Sequence, residues 1–179
     1  MAKCALVIGH KQSSPGAVNE SSGTTEFVLN DGLATDIVAS VNSVEVEKVY
    51  RDTYRALPGK INALNPDFVI SMHCNAFNKQ AHGSEVLYYH TSLNGHAIAE
   101  ALQEKFVNGL GVKDRGTKSK SVEDRGGYLL YHTNAPCVIA EPFFIDNDEE
   151  FDLVVNQKRD ALVQAYAMAI FEIGALFED

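Results

Sequence analysis

Two histidines and a glutamate stand at the ends of three apolar runs in this chain. Ala5-Leu6-Val7-Ile8 leads into Gly9-His10, residues 68–72 lead into His73, and residues 136–140 lead into Glu141. Continuous apolar runs of this length read as strands covered on both faces. In open α/β sheets ligands bind beyond the carboxyl ends of the strands. If the three strands are parallel neighbours, two imidazoles and a carboxylate meet at one sheet edge. Those are the donor types of a catalytic zinc centre, which keeps a position open for water. Hydrolysis at such a centre needs two carboxylates, one as ligand and one to handle protons. Glu141 supplies one, and the other must come from residues 11–26, where Glu20 and Glu26 are available. No HExxH helix and no GxSxG elbow occurs, so the zincin and serine-hydrolase readings lack support.

The elements that must position these groups alternate between strand and helix. A polar loop rich in Ser and Gly follows His10, and a helix is expected from Thr25 or Glu26, with Phe27, Leu33, Ala34, Ile37, Val38 and Val41 at helical spacing. Residues 44–49 read as a short strand, and residues 54–64 as a helix that stops before Asn65-Pro66. A strand is expected over 85–89. Ser92 is a cap for the helix carrying Ile98, Ala101, Leu102 and Phe106, and Gly111 lies just past its end. Leu162, Tyr166, Ala169, Ile170 and Ile173 mark a last helix. The order predicts one domain over residues 1–179: an α/β sandwich with a mostly parallel mixed sheet flanked by helices on both faces.

Length and charge bound the function. A chain of 179 residues buries roughly 70% of its unfolded surface, enough for a full core. Acidic residues outnumber basic ones, 24 to 15, which disfavours nucleic acid as a partner. Residues 113–125 carry five basic side chains against three acidic ones and read as a solvated loop. Cys4, Cys74 and Cys137 form no CxxC pair, so neither a disulfide framework nor a zinc ribbon is indicated. Cys74 directly follows His73 and should point to the opposite side of the strand. No apolar run approaches the ~18 residues of a membrane span, so no stable membrane association is expected.

Three blocks of sequence resemble the zinc-dependent N-acetylmuramoyl-L-alanine amidases of the amidase-3 family. The first is Ile8-Gly9-His10, then Pro15-Gly16-Ala17, then Glu26-Phe27. The second is Ser71-Met72-His73-Cys74-Asn75-Ala76, followed by Gly83-Ser84-Glu85-Val86. The third runs from Pro136 through Glu141-Pro142-Phe143-Phe144 to Asn147-Asp148, and Arg115-Gly116 also fits. The likeness spans about residues 4–175 and rests on the order and spacing of all the blocks. It implies zinc held by His10, Glu26 and His73, with Glu141 as catalytic carboxylate, and peptidoglycan as substrate. Lys11 and Gln12 replace the usual small residues after Gly-His, and Pro142 follows the catalytic glutamate. The rival readings are a zinc peptidase acting on stem peptides and a wall-binding module that has lost catalysis.

Other candidates have plain structural roles. His82, His90, His96 and His132 are expected at the surface, with His132 near the cleft. Tyr88, Tyr89, Tyr128 and Tyr131 are expected in packing, and Asn75 could orient the site. The segment Met1 to Ile8 is too short an apolar stretch for a signal peptide and lacks a small-residue cleavage site. Synthesis in the cytoplasm and action on the wall after release, as for a phage or prophage endolysin, is the expectation.

Overall fold

The computed structural model describes residues 1–178. Its strands are β1 (Lys3–Ile8), β2 (Val18–Asn19), β3 (Thr24–Thr25), β4 (Glu45–Tyr50), β5 (Phe68–Met72), β6 (Ser84–Tyr89), β7 (Asp114–Lys120) and β8 (Cys137–Glu141). Its α-helices are α1 (Glu26–Ser40), α2 (Leu57–Asn62), α3 (Leu93–Leu110), α4 (Gly127–His132), α5 (Asp148–Phe151) and α6 (Arg159–Gly174). A π-helical stretch, Asp152–Gln157, lies between α5 and α6.

Six strands form one sheet in the order β4-β1-β5-β8-β6-β7. β4, β1, β5 and β8 run parallel, so the strands ending at His10, His73 and Glu141 are neighbours, as expected. β6 pairs antiparallel with β8, and β7 pairs parallel with β6. The alternation along β1 divides the core. Cys4, Leu6 and Ile8 face a cluster built with α1, α3 and α6. Ala5 and Val7 face a smaller one built with α2 and α4. Helices therefore cover both faces.

Local chemistry sets the helix ends. Thr25 caps α1 by accepting from the Val28 N–H, and Ser92 caps α3 by accepting from the Gly95 N–H at 3.0 Å. Gly111 ends α3 in the left-handed conformation, φ 68°, where a side chain would be strained.

Three expectations need correction. Residues 113–125 are not simply a loop, because Asp114–Lys120 forms the edge strand β7. An edge strand packs on one neighbour only and can be polar throughout, so no apolar pattern marks it. The helix expected over 54–64 is shorter, Leu57–Asn62, and α4 was not expected at all. Finally, the helix from Arg159 to Phe177 is long and apolar enough to cross a membrane by length and composition. It serves instead as a core helix, with Leu162, Tyr166, Ala169, Ile170 and Ile173 fully buried in the larger cluster.

Phe106 on α3 meets Tyr166 on α6 edge to face, with ring centroids 4.8 Å apart, and both side chains are fully buried. Phe106→Ala should lower stability by ~3–5 kcal/mol. Urea unfolding checks this: the midpoint should fall with the slope unchanged.

Candidate active site

The carboxyl ends of β1 and β5 bring His10 and His73 together. The Gly9 N–H donates to the Met72 carbonyl at 2.9 Å, and a Cβ at Gly9 would collide with that same oxygen. His10 then turns the chain with a positive φ of 67°, which directs it off the strand line. The imidazole centroids of His10 and His73 lie 5.1 Å apart. Glu26, the first residue of α1, reaches between them.

The Glu26 side chain is buried, with 2% of the residue exposed. Its Oε1 lies 2.9 Å from His73 Nδ1 and accepts from the Cys74 N–H at 3.0 Å. Its Oε2 lies 3.1 Å from His10 Nε2 and accepts from the Ala17 N–H at 3.1 Å. Burial by itself would raise the carboxyl pKa. The hydrogen bonds from His10 and His73 outweigh that and hold it well below the usual carboxylate range. The loop that brings Ala17 into place depends on Gly16. Gly16 has φ 81°, and a Cβ there would fall 2.6 Å from both Glu26 Oε2 and the His10 ring. Two further backbone bonds, Glu26 N–H to the Ala17 carbonyl and Phe27 N–H to the Pro15 carbonyl, tie this loop to the helix start.

His10, Glu26 and His73 each offer one donor atom, and these atoms lie within 4.8 Å of one another. No other such metal-capable cluster occurs among the described residues. Two imidazole nitrogens and one carboxylate oxygen fit the open ligand set of a catalytic zinc ion. Glu20, the alternative, lies elsewhere: its Oε2 pairs with Lys79 Nζ at 2.6 Å on an exposed loop.

Glu141 ends β8 beside β5, and the carbonyl of its neighbour Ala140 accepts from the His73 N–H at 2.9 Å. Only 9% of Glu141 is exposed. Across the antiparallel ladder it faces Glu85 on β6. Burial first, and then the Glu85 charge, push the Glu141 carboxyl up to about 7, with Arg125 pulling the other way. Glu85 is itself fixed from two sides. Asn75 Nδ2 donates to its Oε1 at 2.9 Å and Arg115 Nε to its Oε2 at 2.8 Å. The Arg115 guanidinium also lies over the Phe144 ring, 5.0 Å from its centroid.

A model of the N-acetylmuramoyl-L-alanine amidase family (amidase-3) matches residues 4–172. The chain belongs to this family. Among curated relatives, the N-acetylmuramoyl-L-alanine amidase LytC of Bacillus subtilis is 27% identical over 148 residues, covering 78% of this chain and 28% of LytC. The chain thus spans little more than a quarter of that relative. The fold matches the catalytic domain of CwlV, an N-acetylmuramoyl-L-alanine amidase from Bacillus (Paenibacillus) polymyxa var. colistinus, with a TM-score of 0.81 at 22% identity over 96% of this chain and 97% of that one. It also matches the catalytic domain of the CD27L endolysin targeting Clostridium difficile, with a TM-score of 0.76 at 23% identity over 96% of this chain and 98% of that one.

The remaining histidines take no part in this amidase-family site. His82, His90 and His132 are exposed, His132 as the last residue of α4, and His96 stacks on Tyr88 with centroids 4.5 Å apart. Cys74 gives only its backbone N–H, and burial raises its thiol pKa well above the ordinary value. Asn75 donates to Glu85, the residue that faces Glu141. Glu85 and Arg115 are the residues that sequence reasoning left without a role. Both stand in the blocks that carry the family resemblance, but their meeting with Glu141 depends on the antiparallel turn of β6, which spacing does not reveal.

Two outcomes follow from this geometry. Gly16→Ala should cost ~1–3 kcal/mol of stability in urea unfolding, through strain at a positive φ and the collision with Glu26. In the metal-free chain, Glu141 binds its proton more tightly folded than unfolded. Its contribution is therefore intact below about pH 4.5 and is lost as pH rises through about 7. Glu141→Gln should remove up to ~3 kcal/mol of that decline, read as a flatter urea midpoint between pH 5 and 8.

Proposed function

We propose that this chain is a zinc-dependent N-acetylmuramoyl-L-alanine amidase acting on peptidoglycan. The reaction is hydrolysis of the amide between the lactyl group of N-acetylmuramic acid and L-alanine. The observation that carries this reading is the buried Glu26 carboxylate with a different imidazole on each oxygen, one strand away from a second buried glutamate. Family membership supports the choice of bond.

His10 Nε2, His73 Nδ1 and a Glu26 carboxylate oxygen would hold the cation. When bound, it supplies Lewis-acid polarisation of the scissile carbonyl and makes the attacking water more acidic. The backbone N–H groups of Ala17 and Cys74 keep the Glu26 oxygens oriented. Glu141 accepts the proton of the attacking water on its carboxylate and returns it to the departing alanine nitrogen. A pKa held near neutrality by burial and by Glu85 suits a group that must do both. Glu85 is braced by Arg115 and Asn75, so the carboxylate facing Glu141 does not swing away.

The setting we propose is lysis of a bacterial host by a phage or prophage, with the enzyme reaching the wall after release from the cytoplasm. The CD27L endolysin, whose catalytic domain shares this fold, supports the choice of setting.

Digestion of purified peptidoglycan with mass analysis of the fragments tests the reaction. New L-alanine amino termini and free lactyl carboxylates are expected, whereas cleavage between amino acids would mark a peptidase and no cleavage a binding module. Chelation should abolish activity and zinc should restore it. Glu141→Gln should retain one zinc per chain while losing at least ~100-fold in turnover. Glu26→Gln should lose the metal itself, measured as metal content after dialysis.

A further inference from the structure

On the α2/α4 side of the sheet, six aromatic rings form a row. Tyr54 and Tyr128 have centroids 5.7 Å apart, Tyr128 and His132 4.3 Å, and His132 and Tyr131 4.9 Å. Tyr131 and Tyr89 follow at 5.3 Å, then Tyr89 and His90 at 4.7 Å. The row begins beside the catalytic edge. Tyr54 stands on the loop after β4, and that loop is tied to the residue next to His10, because Lys11 Nζ donates to the Asp52 carbonyl at 3.1 Å. Two rings towards its far end, Tyr131 and Tyr89, line a cavity of about 580 Å³ at the amino ends of β8 and α3.

The lining of this cavity is uncharged throughout, in a chain where 22% of residues are charged. Tyr89, Tyr131 and Leu93 offer apolar surface, while Asn94, Asn134 and Thr91 offer neutral hydrogen-bonding groups. Tyr131 is 53% exposed and Leu93 85%, so the patch is open to a ligand and not sealed by the fold. An uncharged, part-aromatic hollow with a few amide groups has no counter-ion to offer phosphate, carboxylate or amine. It suits a molecule with apolar faces and hydroxyl or acetamido edges. The cavity reaches Cys137 at one end of β8, and Glu141 lies at the other, four residues away, or roughly 13 Å at ~3.3 Å per residue. A ligand touching both ends is a polymer.

We propose that the aromatic row and the cavity it borders bind the neutral, N-acetylated sugar strand of the substrate, beyond the sugar whose amide is cut. The identity of that polymer rests on the amidase reading, but the binding itself is testable without it. The chain has no tryptophan, so Tyr131→Trp places a single indole at the cavity mouth. Titration of this full-length variant with a β-1,4-linked N-acetylglucosamine tetrasaccharide, which carries no peptide amide, should give a saturable emission change. Adding Tyr89→Ala should weaken it roughly ten-fold. Tyr131→Ala should slow clearance of insoluble peptidoglycan several-fold, leave hydrolysis of a short soluble muramoyl-peptide unchanged, and be rescued by Tyr131→Phe. No saturable response to the tetrasaccharide overturns the proposal, as does an equal loss on both substrates. It is also overturned if Tyr131→Ala converts a sedimenting dimer to monomer, which assigns the patch to a second copy. If neither substrate is cut by the wild type, the amidase reading fails, and the tetrasaccharide titration still decides the site.

Discussion

Burying the Glu26 carboxylate is the constraint around which the site is organised. An ionised carboxylate loses several kcal/mol of hydration when taken out of water, and only close partners offset that loss. Here each oxygen has two: an imidazole and a backbone N–H. Those four partners come from β1, β5 and the 15–17 loop, so the start of α1 cannot shift without leaving one oxygen unpaired. Gly9 and Gly16 follow from the same demand, since backbone approaches the imidazoles too closely at both places for a Cβ. The donor set converging on this carboxylate is thus held in place by covalently distant parts of the chain.

Two glutamates in one cleft are driven in opposite directions by their surroundings. Glu26 is surrounded by donors and favours its charged form. Glu141 is buried with another carboxylate opposite it and favours its proton. On the reading proposed above, this separation divides labour between a residue that would hold a cation and one that would move a proton. The sheet topology brings it about. Parallel pairing aligns β1, β5 and β8 at one edge, and the reversal at β6 carries Glu85 back to that edge opposite Glu141. Arg115 completes the arrangement by holding Glu85 from its far side while resting on Phe144.

Much of this was legible in the residues. Buried parallel strands are continuous apolar runs, so β1, β5 and β8 announced themselves, and with them His10, His73 and Glu141. The helical spacing of Leu33, Ala34 and Ile37 placed α1, with Glu26 at its first turn. Choosing Glu26 over Glu20 took the family pattern, because both lie in the same polar stretch. In the fold Glu26 lies between the two imidazoles, whereas Glu20 pairs with Lys79. What escaped was polar or short. β7 has no apolar residue, α4 is only six residues long, and the facing of Glu85 to Glu141 is a matter of strand direction, which composition does not encode. The apolar character of α6 misleads in the other direction, since a core helix and a bilayer helix share it.

The charged stretch that first suggested a solvated loop has a different physical consequence once it is seen as β7. The two outermost strands of the sheet are its most polar. β4 carries Glu45, Glu47 and Lys48, and β7 carries Asp114, Arg115, Lys118 and Lys120. Any foreign strand zipping onto either margin would have to strip water from ammonium and carboxylate groups at nearly every second position. Charge along both margins thus works against edge-to-edge pairing of one sheet with another.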